Sequence, residues 1–304
     1  MTKFAKWAWR GLAAAAAVAI PMYFVIGAAP DFRVSGDIAS VIPADAGKPI
    51  QIARTLENLL SREIEETMWR PNKPWFYPTA FADNKTNFQL GVLQGMRRSL
   101  LEYTSRTIRA RRDGAVDPDL QAALNLLQDP PDVWLLDVTQ GFGASSESQY
   151  RAALDALRAF EKKAQDDGQY AELRADHLLR FVDAINVDLM AHVLTLQDFA
   201  LTKAWVVDTR ADDIFYQTKG AGFVYAALAQ AVKHDFAEVL AQKHLGDLWG
   251  RFETNLNRLV MLSPLTVVTA ADDSVLLPNH LLVQAFYASR CAEILTLIEA
   301  SLRT

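Results

Sequence analysis

The side chains best suited to chemistry in this 304-residue sequence are five histidines, one cysteine and the adjacent aspartates Asp212-Asp213 and Asp272-Asp273. Imidazole and thiolate ligate metals when they converge at patterns such as His-Glu-x-x-His, His-x-x-Glu-His or Cys-x-x-Cys, and none of these occurs. His234 and His244 stand ten residues apart. On one straight helix that interval is about 15 Å, too far for a shared ion. His177, His192 and His280 have no partner at ligand spacing, so each histidine reads as a surface or hydrogen-bonded core residue. Cys291 lies on the stripe Tyr287, Cys291, Ile294, Ile298, Leu302, the position of a buried structural thiol. A lone cysteine excludes an intrachain disulfide and any cysteine-clustered metal site.

Adjacent carboxylates raise each other's proton affinity and attract cations, which makes Asp212-Asp213 and Asp272-Asp273 candidates for acid–base work. Neighbouring residues on a helix point about 100° apart, however. Asp212-Asp213 is better explained as the cap and first-turn charge of a helix, and Asp272-Asp273 as a turn. There is no Gly-x-Ser-x-Gly elbow and no Walker loop, and Gly141-Phe142-Gly143 lacks the third glycine of a dinucleotide fingerprint. No residue is therefore assigned to catalysis, to a cofactor or to a metal.

Two other features suit binding. Between Trp69 and Phe81 the chain carries five aromatic residues, Trp69, Trp75, Phe76, Tyr77 and Phe81, interleaved with three prolines. Each proline removes an amide donor and restricts its predecessor, so the segment is a rigid loop and not a helix. Its rings either close the core over the helix ends or form an exposed platform for a partner. Arg97, Arg98, Arg106, Arg109, Arg111 and Arg112 form the only basic concentration beyond the N-terminus. Such a run is a solvated helix face ending in favourable C-terminal charge, or a face for anionic lipid or an acidic polymer.

The elements that must position these residues read as helices. Hydrophobic residues make up 51% of the chain with only 14 glycines, which argues against collagen-like, low-complexity and all-β architectures. Ile52, Leu56, Leu59, Leu60 and Ile64 keep the three-or-four spacing of an amphipathic helix ending near Met68. Similar patterns run from Asp83-Asn84 past Ile108, from Asp117-Pro118 to Gln128, and from a Ser146/Gln149 capping box past Phe160. They recur after Gly168 to about Ala204, from Asp212 to Leu240 with a break or bend at Gly220 and Gly222, from Asp247 to Leu262, and from Pro278 to Arg303. The stretches 133–148 and 263–278 read as small hairpins or turns. The expected fold is mainly α, a multi-helix bundle-like body of about eight helices packed as antiparallel pairs, with at most a small β-hairpin. A sub-division near residue 145 is left open.

A single N-terminal transmembrane helix precedes this body. Residues 11–30 carry no charge and at about 1.5 Å per residue span roughly 30 Å, one bilayer core. Lys3, Lys6 and Arg10 precede them and no acidic residue occurs before Asp31, so the basic side stays cytoplasmic. The apolar run exceeds a signal-peptide core, and Pro30 is a poor start for a cleaved product, which favours an uncleaved signal anchor. The reading is then 1–30 as cytoplasmic tip and anchor, 31–48 as an extended tether, and 49–304 as the exported helical domain. With Lys3, Lys6 and Arg10 set aside from the 31 basic residues, 28 remain against 36 acidic ones, a net charge of −8. That balance disfavours nucleic acid as a partner.

Several stretches in order, FYPTAFADNKTNFQLGV (76–92), DPDLQAAL, SSESQYRAALDAL (145–157), ELRADHL, DDIFYQTKG with Tyr225, and PNHLLVQAFYASR, carry a resemblance. Together they are similar to an uncharacterised family of bacterial membrane-anchored envelope proteins known only as a domain of unknown function. The resemblance implies an inner-membrane-anchored, mainly helical protein and supplies no activity, substrate or catalytic residue.

The leading expectation is a single-pass inner-membrane protein, N-terminus cytoplasmic and domain periplasmic, anchored through residues 11–30, with a non-enzymatic binding or scaffold role. Its candidate interaction surface is Trp69, Trp75, Phe76, Tyr77, Phe81, Arg97, Arg98, Arg106 and Arg109, and its expected partner is an envelope protein, anionic lipid or polymer. The alternatives are an enzyme acting on an envelope polymer or lipid, and a structural spacer or assembly subunit, which predicts an exposed apolar helical stripe and no deep pocket.

Overall fold

The computed structural model describes residues 3–28, 34–43, 50–74, 77, 83–110, 116–134, 136–137, 141–142, 144–167, 174–202, 208–271, 274 and 277–304. The protein is mainly helical. Helix α1 spans Lys3–Ala28, α2 Gln51–Ser61 with a π turn over Arg62–Glu66, α3 Asn84–Ala110, and α4 Pro118–Leu127. Two-residue strands β1 (Leu136–Asp137) and β2 (Gly141–Phe142) pair antiparallel. Then follow α5 Ser146–Asp167, α6 Ala175–Thr202, α7 Thr209–Asp235, α8 Ala237–Gln242, α9 Gly246–Met261 and α10 His280–Arg303.

Helix α7 is the axis of the body. Every residue from Thr218 to Ala229 is buried, as expected of a helix covered on all sides rather than along one stripe. Helix α3 crosses it in parallel, Asn87 lying by Asp213 and Gly95 by Val224. The crossing is backbone on backbone. A Cβ on Gly91 would lie 2.0 Å from the carbonyl oxygen of Gln217, and one on Gly220 would lie 2.0 Å from that of Phe88. Only glycine allows this approach, and Phe88 and Phe223 then stack with ring centroids 5.5 Å apart beside the contact.

Around this pair the remaining helices bury one face each. Helix α9 runs back along α7, Trp249 donating its indole N–H to the Ala229 carbonyl at 3.0 Å. Helices α6 and α10 pack as an antiparallel pair, with Asn186 donating to Thr296 and Glu299. The α2 N-terminus has no cap of its own. The buried Asp235 carboxylate at the end of α7 accepts from Gln51 N and Ile52 N, both at 3.1 Å, placing negative charge where helix α2 exposes free amides. Buried residues before and after position 145 belong to one hydrophobic cluster.

Several expectations are corrected by packing. The α3–α7 pair is parallel, not antiparallel: contacts advance together from Asn87–Asp213 to Gly95–Val224. Gly220 and Gly222 do not break α7; they sit where neighbours press closest. The helix starts at Thr209, capped by Asp208 through Arg210 N at 2.9 Å, three residues before Asp212. Ser146 forms no capping box: its hydroxyl donates to Pro130 O at 2.7 Å and accepts from Val133 N at 2.9 Å. In the 263–278 stretch the described pairing is a single bridge, Thr269 with Asn279, and Asp272-Asp273 lie outside the described residues. Among the described residues the helix long and apolar enough by composition to cross a membrane is α10, yet half of it is buried in the body, where it serves as a core helix.

The described residues of the 31–48 segment pack against the body. Val34 and Val41 are buried, Ile38–Val41 form a 3-10 turn capped by Asp37, and Gly36 abuts the Val260 backbone. Lys219, buried in α7, clasps this segment to the end of α9 by donating to Val34 O at 3.2 Å and Leu262 O at 2.8 Å. Burial pushes its pKa down to about 8.

The crossing makes a contrast measurable by urea unfolding. Gly91→Ala or Gly220→Ala should lose roughly 2–4 kcal/mol of stability, because backbone has to move. Gly250→Ala in α9 meets open space and should instead gain about 0.5–1 kcal/mol from helix propensity.

Candidate functional site

The outer face of α3 supplies Leu90, Leu93, Gln94, Arg97, Arg98 and Leu101 to an open groove of about 430 Å³, walled by Asp188 of α6 and by Gln128 and Pro131 after α4. The two adjacent arginines do different work. Arg97 donates from Nε to Leu127 O and from its terminal nitrogen to Asp129 O at 2.7 Å, satisfying the carbonyls at the end of α4. The Arg98 Nε is buried without a hydrogen-bond partner, and its charge acts on the Tyr225 hydroxyl beside Asp188. A guanidinium with a nitrogen left unpaired beside an apolar floor is suited to receive a carboxylate or phosphate.

Asp188 sits at the groove wall in a chain of polar contacts. Tyr225 Oη donates to it at 2.6 Å, Gln94 Nε2 at 3.0 Å, and His192 Nε2 lies 3.5 Å away, while His192 Nδ1 faces Thr218 Oγ1 at 3.1 Å. Burial raises its pKa, but the hydrogen bonds from His192, Tyr225 and Gln94 outweigh that and hold the carboxyl below its ordinary range. Burial, reinforced by the charge on Asp188, pushes the Tyr225 hydroxyl well above its ordinary value. The Asp–His–Thr order resembles a nucleophile relay, but Thr218 is 1% exposed and no substrate reaches its oxygen. The chain of contacts therefore joins α3, α6 and α7.

A second polar cluster lies under the π turn. Glu63, wholly buried, accepts from Lys85 Nζ and Gln89 Nε2, both at 2.8 Å, and pairs with Arg62. Burial opposes its ionisation, and the Lys85 and Arg62 charges overcome this and lower its pKa. Arg62 lies over the Phe223 ring at 4.7 Å. Two cations around one carboxylate fill each other's demands.

The parallel crossing also gathers the N-termini of α3 and α7. Asp212 and Asp213 are both pushed up to about 6, first by burial and then by the charge of Asp83. Asn87 donates to Asp213 at 2.6 Å and Gln217 to Asn87 at 2.9 Å. Asp83 is 129 positions from Asp212 in sequence, so only the crossing reveals this neighbour. Among the described residues no group of three or more His, Cys, Asp or Glu is arranged to hold a metal.

Of the nine interaction candidates read from the sequence, Trp69 is buried, its indole donating to Pro131 O at 2.9 Å and its ring edge-on to Tyr150. Tyr77 is half-buried. Trp75, Phe76 and Phe81 lie outside the described residues, as do the side chains of Arg106 and Arg109. Arg97 and Arg98 come together at the groove. Sequence reasoning missed Gln94 and Asp188, whose signal was their place on the α3 and α6 faces turned away from α10. It also missed an apolar stripe on α6 and α10, where Val187, Met190, Leu194, Leu201, Phe286 and Leu297 are exposed.

These features define a mainly helical, single-core protein with an open groove along α3. The chain belongs to the bacterial family described as an uncharacterized protein conserved in bacteria, domain of unknown function 2333, whose model matches residues 71–198 and 195–300. No curated protein and no solved structure matches it.

The aspartate cluster yields a pH signature. Asp212 has a folded pKa of about 6 against 3.8 for the ordinary group, so its contribution to stability is fully present below about pH 4 and lost as pH rises through 6. Asp212→Asn should be more stable than the parent at pH 7.5 by about 1 kcal/mol, after allowance for solvent screening. The gain should fade towards pH 4 in paired urea titrations.

Proposed function

We propose that this protein is a single-pass, inner-membrane-anchored envelope protein whose helical body lies on the periplasmic side and acts by binding, with the α3–α6 groove as its ligand face. The observation that carries the binding role is Arg98, a guanidinium over Leu90, Leu93 and Leu101. Its Nε is buried without a hydrogen-bond partner, which is unfavourable, and an anionic group on a partner relieves that. Location is supported by α1, one continuous helix whose residues 13–23 are apolar and exposed, preceded by Lys3, Lys6 and Arg10. A bilayer accounts for such a helix and for the side on which its basic residues stay.

The enzyme reading has less support, because Thr218 and Glu63 are sealed in the core. The assembly reading draws on a specific observation, the exposed stripe from Val187 to Leu201 along α6 with Phe286 and Leu297 of α10. Monomers seldom leave so much apolar surface uncovered.

Both parts are testable in cells with the full chain. A reporter active only outside the cytoplasm, fused after Thr304, should be active, and a stably expressed inactive fusion overturns the orientation. A photo-crosslinking residue at Leu101 should capture an adduct whose yield falls about tenfold in Arg98→Glu, the loss expected for one charge-assisted contact. Adducts from Leu194 that form between copies of the chain, with none from Leu101, would favour assembly instead.

A further inference from the structure

We infer that the end of the body carrying Val34, Met261 and Leu265 rests on the surface of the bilayer that α1 enters, so that the protein makes a second, interfacial contact with lipid. The inference rests on the anchor reading above and adds to it where the body sits. Its first support is chain length. Helix α1 ends at Ala28 and the docked segment begins at Val34. Six residue steps reach no more than about 20 Å, even fully extended. From Gly11 to Ala28 the helix rises about 27 Å, nearly one hydrocarbon core, so Ala28 lies at its far boundary. Val34 is therefore held within about 20 Å of that boundary.

The second support is the clasp. Lys219 Nζ bridges Val34 O and Leu262 O, and Gly36 lies against Val260, so the exit of the anchor and the end of α9 are one site on the body. Lys219 is itself buried in α7, which ties both strands of this site to the central helix. Had the segment been a free tether, the body would have had no preferred face towards the membrane.

The third support is what this end exposes. Met261 is 66% exposed and Leu265, in the loop just beyond Leu262 and after Pro264, is 93% exposed. Neither belongs to the α6–α10 stripe. Apolar side chains projecting next to a membrane exit suit the headgroup and acyl boundary, where burial of apolar area is favourable and the polar backbone of a loop stays hydrated. Arg258, exposed one turn before Met261, adds a cation where anionic headgroups lie.

The experiment uses the full chain in phosphatidylethanolamine and phosphatidylglycerol vesicles carrying nitroxide lipids of shallow or deep position. Single cysteines at Thr266, Gln242 or Val18 carry an environment-sensitive fluorophore; the native Cys291 is buried, and unsubstituted protein gives the labelling background. Gln242 is on α8, just beyond the end of α7 at Asp235, and that end lies 16 residues or about 24 Å along the helix from Lys219. Shallow nitroxides should quench Thr266 and spare Gln242, and Met261→Asp with Leu265→Asp should shift the docked-to-free ratio by about tenfold or more. Deep nitroxides should quench Val18. Quenched Val18 with unquenched Thr266 overturns the docking and leaves the anchor standing. Unquenched Val18 overturns the anchor and the docking with it, and equal quenching of Thr266 and Gln242 overturns a specific docked face.

Discussion

The rest of the structure depends on the contact of two helix backbones at Gly91 and Gly220. Because α3 and α7 touch without side chains between them, α7 is drawn into the centre and becomes buried on every side. The same contact sets the direction of α3. Running parallel to α7, it brings Asp83 beside Asp212 and Asp213 at one end, and further along lays Gln94 against the Asp188–His192–Thr218 chain. The groove follows from this geometry. Its floor is the part of α3 that α7 does not cover, and its wall is the flank of α6 turned away from α10.

Buried charge then determines how the ends of the chain attach. Among the described residues, several charged side chains are buried, and three of them each serve a distant segment. Asp235 caps α2, Lys219 clasps the segment after α1 to the end of α9, and Glu63 holds Lys85 and Gln89 at the start of α3. A buried ion without compensation is strongly unfavourable, so each of these attachments is specific.

Much of the fold was legible from residue patterns. The N-cap Asp117 with Pro118, the three-or-four spacing of α2 and the length of α10 are local properties, and the helices appear where those patterns put them. A cap assignment failed where the side chain had a better partner elsewhere: α5 begins at Ser146 as expected, but the Ser146 hydroxyl ties down the Pro130–Val133 turn. Of the arginine run, spacing alone does not separate Arg97 from Arg98. One meets the carbonyls ending α4 and the other meets none, a difference created by where α4 stops against α3.

By itself the sequence determined the helical class, the apolar N-terminal segment, the lone buried thiol and the absence of familiar catalytic motifs, because each depends on residues near one another in the chain. The tertiary structure alone decided that α3 and α7 run parallel, that the carboxylates of positions 83, 212 and 213 share one site, and that the segment from Val34 is clasped to the body. Those outcomes depend on backbone approach and on charge compensation between segments tens to more than a hundred positions apart. No local pattern encodes such distances, so they appear only once the helices are packed.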